Sequence, residues 1–119
     1  MTTLAGKHIL VLEDEYLLAM EVVDALEELG AVVVGPAHRI DVALGLLDGS
    51  RMDAALLDVN IGGLPSTPVA KRLQDLGIPI VYATGYGVQA DVAPGSAIID
   101  KPYTLEQMSA ALFTAINGR

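Results

Sequence analysis

Residues able to do ionic and nucleophilic chemistry stand at the ends of short apolar runs. Glu13 and Asp14 follow Ile9 to Leu12, Asp58 follows Ala54 to Leu57, Thr84 follows Ile80 to Ala83, and Lys101 lies just past Ala97 to Ile99. In an open parallel α/β sheet, ligands collect outside the carboxyl ends of the strands, so side chains this far apart in the chain would meet in one pocket. Carboxylates about 4 Å apart repel by roughly 4 kcal/mol per pair at an effective dielectric near 20. Positive charge must therefore join them. Lys101 offers one ammonium group, and the remaining excess suits a hard divalent cation with oxygen ligands, Mg²⁺ before others. Carboxylates, a hydroxyl, an ammonium and a cation together suggest a metal-assisted phosphoryl acceptor.

The elements that must position these residues follow from the hydrophobic pattern. Apolar blocks alternate with stretches of helical period, the signature of βαβ units and a parallel sheet. After the first strand, Leu18, Val22, Leu26 and Leu29 share one face, Glu21, Asp24, Glu27 and Glu28 face water, and Gly30 supplies the left-handed stop. Ala31 to Val34 read as the second strand, with Gly35-Pro36 as a turn and Val42, Leu46 and Leu47 on a helix closed near Gly49. The third strand leads to Asp58. A loop through Gly62, Gly63 and Pro65 then enters a helix with Thr67 as N-cap, Pro68 at its first position, Val69, Leu73 and Leu76 inward, and Gly77 beyond its end. Between Thr84 and Ala97 the glycines and prolines leave only Val88 to Ala93 as a short or irregular helical segment. The last helix begins with Thr104 and Gln107 at capping-box spacing and carries Leu105, Met108, Leu112 and Ile116 on one stripe.

Composition sets further bounds. A chain of 119 residues makes one ordinary domain, and with 52% apolar but 4% aromatic residues its core must be built from Ala, Val, Leu and Ile. A single domain over residues 1–119 with no appended effector module is expected. The absence of cysteine excludes a disulfide framework and thiolate chemistry. No apolar run is long enough to span a bilayer and Met1 to Gly6 lacks the pattern of a signal peptide, so a soluble cytoplasmic protein with no membrane partner is expected. A net charge of −8 with seven scattered Lys and Arg argues against a nucleic-acid surface.

Taken in order, the acidic pair Glu13-Asp14, Asp58, Thr84 and Lys101-Pro102, each after an apolar strand, make the chain resemble the CheY-like receiver domains of two-component response regulators over essentially its whole length. The stretch Tyr82-Ala83-Thr84-Gly85-Tyr86 is similar to the "FAT GUY" branch of single-domain receivers, with Tyr82 and Gly87 departing from that motif. The resemblance implies a flavodoxin-like α/β fold, a doubly wound five-stranded parallel sheet of order 2-1-3-4-5. It implies Mg²⁺ held directly by Asp14, Asp58 and the backbone carbonyl of Asn60, with Glu13 acting through water. It further implies Asp58 as phosphoacceptor, Thr84 and Lys101 as the groups that compensate phosphoryl oxygens, a cis bond before Pro102, and Asn60 and Tyr86 beside the path of attacking water. The implied partners are a histidine kinase or histidine phosphotransfer protein and a downstream protein, with a homodimer left open. The usual aromatic residue three positions before the lysine is Ile98 here.

Other readings stand beside this one. Asp14 could cap the first helix, with Glu13 and Glu15 favoured near its positive end. Met20, Met52 and Met108 read as packing, and His8 and His38 as structural or solvent-facing. The same fold could serve as a pseudo-receiver, a constitutive protein-interaction module, or as a small Mg²⁺-dependent phosphohydrolase. The latter needs a general acid near the nucleophile, which Asn60 cannot be. Catalysis is thus expected only on the chain's own phosphorylation and dephosphorylation. A dinucleotide or P-loop site is disfavoured because acids stand where a glycine-rich cradle is required.

Overall fold

Alternation along the central strands decides how the layers form. Leu10, Leu12, Ala55, Leu57 and Tyr82 face one core, while Ile9, Val11, Ala54, Leu56, Val81 and Ala83 face another, so both sides of the sheet must be covered. The computed structural model describes residues 4–85 and 96–118. In it the elements run β1 (His8–Leu12), α1 (Tyr16–Glu28), β2 (Val32–Ala37), α2 (Ile40–Leu47), β3 (Ala54–Asp58), β4 (Asn60–Ile61), β5 (Leu64–Pro65), α3 (Thr67–Asp75), β6 (Ile80–Thr84), β7 (Ala97–Asp100) and α4 (Leu105–Asn117). The five longer strands form one parallel sheet in the order β2-β1-β3-β6-β7, the 2-1-3-4-5 arrangement that the family resemblance implies.

Helices α2 and α3 cover one face through Ala43, Leu47, Val69, Ala70 and Leu73. Helices α1 and α4 cover the other through Val22, Ala25, Leu26, Met108 and Leu112. The order reverses between β1 and β3, and a crevice opens there at the carboxyl edge.

Several expectations are corrected. The second strand runs to Ala37, so Gly35 and Pro36 lie inside β2, as a bulge, and do not form a turn beyond it. Ser66 is the N-cap of α3 and Thr67 its first helical residue, because the Ser66 carbonyl already accepts the amides of Val69 and Ala70. Val42 is exposed, since the buried stripe of α2 runs from Ala43 to Leu47 and each helical residue turns the side chain by about 100°. Leu76 and Leu105 fall at the C-cap of α3 and the first position of α4, terminal places where both remain half exposed. The β4–β5 hairpin has no counterpart in the sequence reading. The expected helical segment from Val88 to Ala93, and Tyr86, lie outside the described residues.

Candidate functional site

Each expected site residue stands at a strand end for a local reason. The last rung of the β1–β2 ladder is the bond from the Glu13 amide to the Ala37 carbonyl at 3.0 Å, which fixes Glu13 just beyond the end of β1. The Glu15 amide then bonds Glu13 Oε2 at 3.0 Å, folding the acidic turn onto itself before α1 starts. Beyond Asp58, both the amide and the hydroxyl of buried Ser66 donate to the Val59 carbonyl, at 2.9 and 3.1 Å, closing the hairpin loop. Within that loop the Gly62 amide donates to Asp14 Oδ2 at 2.9 Å. Gly62 has a positive φ of 58°. Lys101 is started on its course by its own amide, bonded to the Thr84 carbonyl at 2.8 Å, and the Lys101–Pro102 peptide is cis.

The side chains converge. Lys101 Nζ donates to Glu13 Oε1 at 2.8 Å and to Asp58 Oδ2 at 2.9 Å. One carboxylate oxygen from each of Glu13, Asp14 and Asp58 lies within 4.8 Å of the other two. The Asn60 amide approaches Asp58 Oδ1 at 3.3 Å. Thr84 is buried, and among the described residues its hydroxyl makes a long 3.5 Å bond to the Gly85 carbonyl. A cavity of about 640 Å³ opens over this group, bordered by Asp58, Asn60, Thr84, Lys101 and Tyr103.

Charge is unevenly shared. Burial raises the Glu13 carboxyl to about 7, aided by the charge of Asp58 and opposed by the Lys101 ammonium and the Glu15 amide. Burial works against the Lys101 ammonium as well, but its two carboxylate bonds outweigh that and hold its pKa above the ordinary lysine value. The asymmetry is physical: Lys101 gains from two partners, whereas Glu13 has half a cation and the full cost of being only 4% exposed. The Gly62 amide bond is the main cause of the lowered pKa of Asp14. Burial, with the charge of Glu13, pushes the Tyr103 hydroxyl up to about 12.

Three carboxylates this close, offering hard oxygen donors beside a single ammonium, suit a divalent cation such as Mg²⁺ or Ca²⁺. The capping role considered for Asp14 is not observed, since α1 is capped at Glu15 with no side-chain bond and Asp14 reaches Gly62. Sequence reasoning passed over three participants. His38 donates to the Glu13 carbonyl, Gly62 orients Asp14, and Tyr103 borders the cavity. Only Gly62 carried a signal, in the Gly62-Gly63 turn.

No family model matches the chain. Among solved structures it is similar to SdrG from Sphingomonas melonis Fr1, with 38% identity, a TM-score of 0.78, and 90% of this chain and 96% of that one covered. It is also similar to a response regulator receiver protein from Sinorhizobium medicae WSM419, with 26% identity, a TM-score of 0.80, and coverage of 97% and 98%. The transcriptional regulatory protein TcrA of Mycobacterium tuberculosis is 30% identical over 91% of this chain and 45% of its own length. The chain spans about half the length of the curated relatives it matches. Five parallel strands in the order β2-β1-β3-β6-β7, an acidic cluster at the switch point and a lysine bonded across it accord with these likenesses: the chain belongs to the CheY-like receiver domains of two-component response regulators.

Proposed function

We propose that this chain is a phosphoacceptor receiver that takes a phosphoryl group on Asp58 from a histidine kinase or histidine phosphotransfer protein and signals through protein contacts. The observation that carries the reading is the bond from Lys101 Nζ to Asp58 Oδ2, made at the mouth of a cavity and beside two further carboxylates. Phosphoryl transfer asks little covalent work of the protein and depends on alignment and charge compensation. A carboxylate oxygen of Asp58 attacks phosphorus in line, the bond from phosphorus to the donor nitrogen breaks, and the leaving imidazole takes its proton from solvent. Lys101 and the Thr84 hydroxyl then face the phosphoryl oxygens, the first as a fixed charge and the second by turning from its long bond to Gly85.

Asp14, Asp58 and the Asn60 carbonyl would hold Mg²⁺, with Glu13 acting through water; the bound cation supplies charge compensation to the phosphoryl oxygens. A receiver of the FAT GUY branch, acting on no external small-molecule substrate, is part of the same proposal. Incubation with labelled acetyl phosphate and Mg²⁺ tests it. Label stable to acid but lost at alkaline pH would map to Asp58 by mass analysis and be absent from Asp58→Asn. Undiminished labelling of that variant would move the acceptor elsewhere, and no labelling of the wild type by any phosphodonor would favour a pseudo-receiver.

A further inference from the structure

The end of β2 carries a device that the phosphoacceptor reading does not use. Between the pairs Leu10–Val34 and Leu12–Ala37, β2 has one residue more than β1. The extra length is absorbed at Gly35-Pro36, where Gly35 has φ 102° and a Cβ would lie 2.7 Å from the Ala37 nitrogen, so no larger residue fits. Past this bulge two successive residues grip one backbone unit. The Ala37 carbonyl accepts the Glu13 amide at 3.0 Å, and His38 Nδ1 meets the Glu13 carbonyl at 2.9 Å. A carbonyl can only accept, so Nδ1 carries the proton. The Tyr16 ring lies against the imidazole, with centroids 5.6 Å apart and planes tilted by 38°.

We propose that His38 is a positioning residue that holds the acidic turn after β1 in place through its bond to the Glu13 carbonyl. That carbonyl belongs to the peptide joining Glu13 to Asp14, so its orientation sets where the Asp14 carboxylate starts on its way to the Gly62 amide. His38 thus acts through Glu13 and Asp14 without touching the phosphoacceptor. Its consequence for cation binding rests on the metal reading above.

Two variants separate donor from ring. His38→Phe keeps an aromatic face for Tyr16 and loses the donor, whereas His38→Asn keeps a donor near the position of Nδ1 and loses the ring. By calorimetry, His38→Phe is expected to weaken Mg²⁺ binding roughly 10- to 100-fold, as loss of outer-shell partners does, and His38→Asn to stay within about threefold of the wild type. In metal-free protein the Asp14 and Gly62 amide resonances should move in His38→Phe and stay near their places in His38→Asn. A long-range ¹H–¹⁵N spectrum of the wild type should show the Nδ1–H tautomer. Wild-type Mg²⁺ affinity with unmoved amides in His38→Phe, an Nε2–H tautomer, or an Asn variant no better than Phe would each overturn the proposal. Should His38→Phe fail to fold, the wild-type tautomer and the Asn variant decide. A wild type that binds no Mg²⁺ sinks the metal reading alone, since the tautomer and the amide shifts still report on the tether.

Discussion

At the scale of single residues, Lys101 is the most exposed of three charged partners that are otherwise shut away, and it answers two carboxylates at once. Removing its charge leaves Glu13 and Asp58 facing each other with nothing between. Lys101→Met is expected to lower stability in metal-free buffer near pH 8 by about 3–5 kcal/mol, the range for breaking a buried pair by deleting one partner. Urea melts should find the loss smaller near pH 5, where Glu13 is protonated and needs no counter-ion. An equal loss at both pH values would mean that packing of the lysine stem, and not its charge, sets the effect. Asp58, Thr84 and Lys101 were legible in the sequence because their types end apolar runs. His38 was not, since its role depends on a bulge that brings residue 38 beside residue 13.

At the scale of elements, the helix ends differ in how well the sequence announces them. Thr104 accepts the Gln107 amide at 3.0 Å and Gln107 Oε1 accepts the Thr104 amide at 2.8 Å, the reciprocal pair that their spacing predicts. Thr104→Ala should cost about 1 kcal/mol by losing that cap, measured as a lower urea midpoint at unchanged m-value. Since α4 follows the loop that carries Lys101, a slower phosphorylation rate in this variant would indicate that the cap also steadies the site. Ser66 shows the opposite case. Its hydroxyl closes the loop after Asp58 by bonding Val59 and caps nothing, so a short polar residue before Pro68 does not by itself reveal which end it serves. Buried Val69 and Leu73 obeyed their period, whereas Leu76 and Leu105 sit on correct stripes but at helix ends.

At the scale of the whole molecule, pH and cation should oppose each other. The Glu13 pKa is raised from 4.5 to about 7, so the stability this shift contributes is fully present below about 4.5, where both states are protonated, and is lost as pH rises through about 7. Asp14 and Asp53 are lowered from 3.8, the second because its bond from the His8 amide and the Arg51 and Lys7 charges overcome burial. Their contribution is present above that value and lost as pH falls below it. Metal-free protein should therefore be most stable in mildly acidic solution and weaken towards pH 8, by at most about 1.4 kcal/mol per pH unit for one proton. Magnesium should offset the decline, because its ligands must be deprotonated, and at one hundred times its dissociation constant linkage adds roughly 2.7 kcal/mol. Calorimetry in buffers of different ionisation enthalpy should detect proton release on binding near pH 7. A melting temperature indifferent to Mg²⁺ at every pH would leave the acidic cluster without a cation.

By itself the sequence determined the alternation of strand and helix, the two-sided core, the sheet order by resemblance, and the residue types at the strand ends. All but the sheet order follow from local periodicity and from chemistry written in single positions. Tertiary structure alone decided that Lys101 divides its charge between Glu13 and Asp58, that Asp14 turns to Gly62 and away from capping α1, and that His38 grips the Glu13 carbonyl. Each is a contact between residues 25 to 88 positions apart, set by strand register and by one extra residue in β2, and neither of these has a local period to read.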